Sequence, residues 1–448
     1  MQSVATDNLL PNEIAMQQAW RFRLWGAGRL VTSQGTVINV VDAGKLNNGP
    51  GPDFHDAKIR IDGALWAGCV EIHRRASDWH RHGHDDDRAY DNVILHVVGR
   101  DDCRIARGDG SEILQVVMKI SDGFDTFFNG LLNGNRYVLP MCGDRLVEIA
   151  DIFKTDWITA LAYERLLRKA DDVASRLKAE SGNWFQAVFV TLARGLGFGV
   201  NADNMERVAR SIDFKILLKH TDSPETIEAI LFGQAGLLNM ANPADSYEAR
   251  LAREYSFYAH KYGLKPIERP LWQMSFRNTA NTPYRRVALL SRLVSEHGTE
   301  IGHRLCERKE VSAIRKFLNV NLSEYWAHNY AFGRAVTNRM SALGKQSQDL
   351  LIINVLAPLV YCRGLERART DLMDGAVEMW EQTDGEKNSI TKGFERHGIT
   401  AANAFTSQAL IQLHKEYCER RRCPECRLGH RLLSSYIGFK CANQPVTS

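Results

Sequence analysis

The chain predicts an α+β fold: an N-terminal mixed α/β domain with a mainly antiparallel sheet, followed by a larger all-helical domain. Three observations carry this. Short β-branched and apolar runs with strand alternation crowd the first third of the chain. From about Leu146 onward the apolar residues recur at helical spacing instead. At 448 residues the chain is also too long for one ordinary core, so two or three domains are expected.

The elements follow in order. A first helix is expected from Glu13 to about Leu24. Strands are expected at Val37–Val41, Ala57–Ile61, Leu65–His73, Val93–Val98 and Ile113–Ile120, with Asp62-Gly63 as a hairpin turn between the second and third. In the helical part, Met205, Val208, Ile212 and Ile216 share a face, as do Tyr284, Val287, Leu290 and Leu293, and Ser223-Pro224-Glu225 reads as a helix start. No repeat of fixed period is visible. The expected divisions are 1–145 for the mixed domain, 146–412 for the helical one, and 413–448 for a cysteine-rich segment packed on the helical domain.

Composition narrows the class. Hydrophobic content of 44% with 25% charged residues describes a globular chain and excludes a disordered one. The longest apolar run, Leu350 to Cys362, is broken by Asn354 and Pro358 and is short for a bilayer span. With no basic-then-apolar leader, a cytoplasmic location without membrane partners is the expectation. A net charge of +4 permits nucleic-acid binding without arguing for it. Protein partners are not legible.

The most informative stretch is Gly49-Pro50-Gly51-Pro52-Asp53-Phe54 followed by Val70-Glu71-Ile72-His73. Two carboxylates on neighbouring strands can hold magnesium or manganese, and His73 can position or deprotonate a water. Glu13 on the first helix can join them. Geometry sets a condition. A two-residue turn at Asp62-Gly63 puts Asp53 opposite Ile72, facing away from Glu71. A three-residue turn from Ile61 to Gly63, or a bulge, sets Asp53 opposite Glu71. The competing reading is an ordinary Asp turn beside a half-exposed strand.

Next comes Asp78-Trp79-His80-Arg81-His82-Gly83-His84, then three aspartates, with His96 in the following strand. His82, His84 and His96 are zinc or transition-metal candidates, against the plainer reading of a solvated polar loop. Near the C-terminus, His414, Cys418, Cys423 and Cys426 have the spacing of a structural zinc site, with an iron–sulfur cluster less favoured. His430 and Cys441 are alternative fourth ligands. Arg420, Arg421 and Arg422 between them read as a solvated helix end or as phosphate contacts.

Together, Gly-Pro-Asp-Phe, Val-Glu-Ile-His, Ser-Asp-Trp, His-x-His-x-x-Asp and Tyr90-Asp91-Asn92-Val93-Ile94-Leu95-His96 resemble the bacterial family called domain of unknown function 2851. Leu343-Gly344-Lys345 to Pro358 and the terminal cysteines continue the resemblance over nearly the whole chain. It implies no established activity. More distantly, Asp53 and Glu71 resemble the acids of the PD-(D/E)xK phosphodiesterase superfamily, which implies a restriction-endonuclease-like core. His73 stands where that superfamily has lysine.

The leading expectation is thus a metal-dependent phosphodiesterase, nuclease-like, with Asp53, Glu71 and His73 catalytic. A non-catalytic nucleic-acid or protein-binding module that keeps the fold is the second. A transition-metal hydrolase built on the His80–His96 region is the third.

Overall fold

The computed structural model describes residues 10–25, 30–47, 49–120, 128, 142–268, 272–274, 282–302, 304–337, 339 and 342–438. Cys441 lies outside them. The chain forms an α+β protein of two compact units. The first unit runs to Trp157 and takes in Lys392–Ile399 and the chain from Leu413. The second comprises Ile158–Thr391 and Thr400–Gln412. The cysteine-rich segment groups with the sheet unit, whereas the sequence reading sets it on the helical domain. Arg21 pairs with Glu425, Phe22 meets the His430 ring edge-on, and Leu433 joins the core beneath the sheet.

In the first unit, helix α1 (Glu13–Arg21) starts at Asn12, whose side chain accepts from the Ile14 N–H. It buries Ala15, Met16, Ala19 and Trp20 against the sheet, and the Trp20 indole donates to the Ala43 carbonyl. The strands are β1 (Leu30–Val31), β2 (Val37–Asp42), β3 (Lys45–Leu46), β4 (Phe54–Ile61), β5 (Ala64–Arg75), β6 (Val93–Arg100) and β7 (Gln115–Val117). They form one sheet in the order β1-β2-β4-β5-β6-β7, with β3 beside β4. Pairings up to β4–β5 are antiparallel, while β5–β6 and β6–β7 are parallel.

The parallel step from β5 to β6 needs a crossover. Residues 76–92 supply it, with a single short helix, α2 (Asp78–Arg81), and two 3-10 turns. This segment covers one face of the sheet and α1 the other, so the inner half of β5 is buried on both sides. Val70 and Ile72 face the α1 core with Leu95 and Val97. Cys69 turns to the crossover face with Trp79, Tyr90, Val93 and Val98. By alternation Glu71 and His73 share that second face.

The hairpin combines a two-residue turn with a bulge, the second of the two routes that bring Asp53 opposite Glu71. Ile61 pairs with Ala64 across a two-residue turn, and Ala57 pairs with Gly68. Beyond a shift between Ala57 and Phe54, Phe54 pairs with Val70. The extra residue is accommodated by Asp56, held at φ 60° in the left-handed region. Continuing that shifted register brings Asp53 alongside Glu71, and the Asp53 N–H donates to Glu71 Oε2 at 2.9 Å.

The second unit is helical around one large core, with Trp326 stacked on Phe232 near its centre. It is not all-helical. Asn329–Ala331 and Arg334–Ala335 form a small antiparallel pair. Asn354 and Pro358 do not break the apolar run either: a π turn at Ile352–Leu356 leads directly into the helix Ala357–Arg367. The continuous helical span Lys345–Arg367 is long and apolar enough to cross a membrane by length and composition, yet 78% of its apolar window is buried inside the protein.

Gly68 marks how closely β5 approaches β6. A Cβ there would lie 2.5 Å from Ile94 Cγ2 and 2.7 Å from the Asn92 carbonyl oxygen. Gly68→Ala should therefore cost about 1–3 kcal/mol of overpacking strain, read as a lowered midpoint in thermal denaturation. An unchanged midpoint would show that the two strands have room to separate.

Candidate metal centre

Four side chains converge on the crossover face of β5. His73 Nε2 lies 3.1 Å from His82 Nδ1 and 3.4 Å from Glu71 Oε1, and His84 Nε2 lies 3.5 Å from the same Glu71 oxygen. The ligand atoms of His73, His82 and His84 all fall within 4.8 Å of one another. For ligands about 2.0–2.1 Å from a zinc-sized ion, tetrahedral geometry places neighbouring donor atoms roughly 3.4 Å apart. The observed spacings match such a set.

Local sequence explains the convergence. Glu71 and His73 are two apart on one strand, so they share a face. The Arg75 N–H bonds to Asp78, and Ser77 bonds to Asp102, which anchors the start of the crossover. Trp79 is buried beneath it. Gly83, at φ 74°, reverses the chain after α2 so that His82 and His84 both turn toward His73. Tyr90 stacks on the His84 ring at 3.8 Å, with Trp79 edge-on to it.

A second layer holds these groups. His73 Nδ1 and His96 Nε2 are 2.8 Å apart, which leaves His73 Nε2 to face the centre. Asp53 accepts from the Ile72 N–H and from the Gln17 amide while its own N–H holds Glu71. His96 thus acts behind the cluster and not within it. Asp53 supports Glu71, with both its oxygens already bonded. Glu13 is half-buried on α1 and within electrostatic range of both acids. His80 pairs with Asp85 away from the centre.

The electrostatics suit a cation. Burial, reinforced by Asp53, pushes Glu71 up to about 9, and burial lifts Asp53 to about 6. Burial and the neighbouring imidazoles drive His73 down to about 2 and His96 to about 3, and burial also lowers His84. His73 is therefore a neutral donor of a lone pair. The buried His84 Nε2 makes no hydrogen bond and faces Glu71 Oε1 at 3.5 Å, so its lone pair is available to a metal. His82 is exposed, so the cluster opens to solvent on that side.

Sequence reasoning had named Glu71 and all the histidines of the cluster, but divided them between two competing sites. It did not find Gln17, Trp79 or Tyr90, whose roles depend on packing. At the C-terminus, His414 pairs with Glu419 at 3.1 Å, while a fourth cysteine, Cys142, lines the same cavity as Cys418, Cys423 and Cys426. Arg420 pairs with Glu416 and Arg422 with Glu425, in keeping with a solvated helix end.

Fold and site together define an α+β protein that carries a histidine–carboxylate cluster able to bind a metal. Its sequence matches the family described as protein of unknown function (DUF2851) over residues 13–389, and the chain belongs to that family. Comparison with curated proteins and with solved structures returned no match in either case.

Metal binding must displace the Glu71 proton. Because that carboxyl is raised toward 9, affinity for a divalent transition metal should rise steadily from pH 6 to pH 9. Calorimetry in buffers of different ionisation enthalpy should detect the released proton. Glu71→Gln should flatten the slope, and pH-independent affinity in the wild type would contradict the assignment.

Proposed function

We propose that the protein is a transition-metal-dependent hydrolase, with the metal held by His73, His82 and His84 together with Glu71 Oε1. The observation that carries this reading is the chain of three contacts of 3.1–3.5 Å that links these donor atoms, with a buried His84 Nε2 that makes no hydrogen bond. A metal in such a set lowers the pKa of a bound water and stabilises charge that develops on a substrate oxygen. Three imidazoles and one carboxylate favour zinc, iron or manganese over magnesium, which prefers oxygen ligands. Exposure of His82 supports entry of water and substrate from that side. Asp53 positions Glu71, and His96 orients His73.

Phosphodiesters are the substrate class we favour. The order of helix, antiparallel strands, crossover and parallel strand accords with the resemblance to metal-dependent phosphodiesterases, and the bulge at Asp56 aligns Asp53 with Glu71. Nucleic acid is then the partner to test first. The magnesium site between Asp53 and Glu71 is less well supported, because both Asp53 oxygens are engaged by protein donors.

The test is hydrolysis of bis(p-nitrophenyl) phosphate and of single- and double-stranded DNA and RNA, with zinc, manganese, ferrous iron or magnesium. Activity should need a transition metal. His84→Ala and Glu71→Gln should each lower kcat/KM by about two orders of magnitude or more, whereas Asp53→Asn should weaken metal affinity by roughly 10- to 100-fold, as for an outer-shell partner. Activity with magnesium alone that survives His84→Ala would favour the two-acid site. Stoichiometric metal without turnover of any substrate would favour a binding module.

A further inference from the structure

The first unit contains a second cluster with different chemistry. Cys142 precedes the 3-10 turn Gly143–Glu148, and Cys418, Cys423 and Cys426 lie close to the chain's other end. All four line one small apolar cavity, whose other walls are Leu146, Phe394, Leu413, Tyr417, Leu428 and Gly429. Among the described residues no disulfide joins these cysteines. Each lies close enough to others of the set for their charges to raise its pKa or be raised by it.

We propose that Cys142, Cys418, Cys423 and Cys426 together ligate an iron–sulfur cluster. Four thiols meeting in an apolar cavity are a ligand set, and the choice lies between one zinc ion and a cluster. With Zn–S near 2.3 Å, a single zinc draws its four sulfurs to within roughly 3.8 Å of one another. Among the described residues the only group of three or more such ligand atoms mutually within 4.8 Å is His73, His82 and His84. The cysteine sulfurs are thus spread more widely than one ion requires. Two- and four-iron clusters place no three thiolates that close together, because the thiolates are divided among separate iron atoms.

The sequence agrees on a second count. Cys418-x4-Cys423-x2-Cys426 with a distant fourth cysteine has the spacing of plant-type ferredoxins, although here the fourth lies upstream. That likeness outweighs the zinc reading based on the Cys-x2-Cys knuckle alone. The backbone around the knuckle is also shaped for thiolates. The N–H groups of Leu428 and Gly429 are directed to the Cys426 sulfur, and such hydrogen bonds stabilise a ligating thiolate. Gly429 cannot carry a side chain, because a Cβ would sit 2.3 Å from the Cys423 carbonyl oxygen. The cluster would tie the C-terminal segment to the end of the sheet region, as a cross-link between distant parts of the chain does.

The full chain, purified and reconstituted without oxygen using iron and sulfide, should bind both in matching amounts and absorb broadly near about 400 nm. Cys142→Ser should lower bound iron by about tenfold or more, while His414→Ala and Cys103→Ser retain it. Alkylation of the wild type gives a check that does not depend on how variants fold. Cys142, Cys418, Cys423 and Cys426 should be protected together and become reactive together when a chelator removes the iron, with Cys103 unaffected. Zinc uptake without iron, iron content unchanged in a folded Cys142→Ser, or alkylation of Cys142 at the same rate with and without iron would each overturn the assignment.

Discussion

The first unit depends on a single strand being buried on both faces. The inner half of β5 gives Val70 and Ile72 to the α1 side and Cys69, Glu71 and His73 to the crossover side. Burying an ionisable group costs several kcal/mol unless it is neutralised or bonded. The protein answers with a network: the Asp53 backbone holds Glu71, Gln17 holds Asp53, and His96 holds His73. The network is left incomplete at His84 Nε2 and His96 Nδ1, which are buried without hydrogen-bond partners. Each such atom costs about 1–3 kcal/mol. A cation among the donors would remove the first of these costs and the burden of a buried Glu71 as well.

Two clusters in the same unit follow opposite logic. The histidine–carboxylate set is open at His82, mixes nitrogen and oxygen donors, and rests on a layer of oriented partners. Such a set keeps room for water and substrate. The cysteine set has only sulfur donors in an apolar cavity and uses residues from distant parts of the chain. With the proposed cluster bound, it would hold structure or electrons.

The bulge at Asp56 decides whether the two acids of the opening motif meet. Without it, the two-residue turn that joins Ile61 to Ala64 would leave Asp53 opposite Ile72. No glycine marks the position. An aspartate at φ 60° adopts the left-handed conformation there, and Asp is among the residues that tolerate it. Sequence patterns could state the requirement for a bulge but could not locate it. The loop histidines were legible as candidate metal ligands by type. Their union with Glu71 was not, because it depends on where a parallel crossover lands over the sheet.

Periodicity and residue type alone determined the α+β class, the first helix, the five main strands, the hairpin turn and most of the residues of the candidate site. These are local properties, since strand alternation and helical spacing are written into neighbouring residues. Only the tertiary structure decided which candidate residues lie together. It set His84 beside Glu71 and His82 beside His73, placed His96 behind His73, and brought Cys142 into the cavity that Cys418, Cys423 and Cys426 line. It also placed the C-terminal segment with the sheet unit. These outcomes depend on contacts between residues far apart in the chain, and no local pattern encodes such distances.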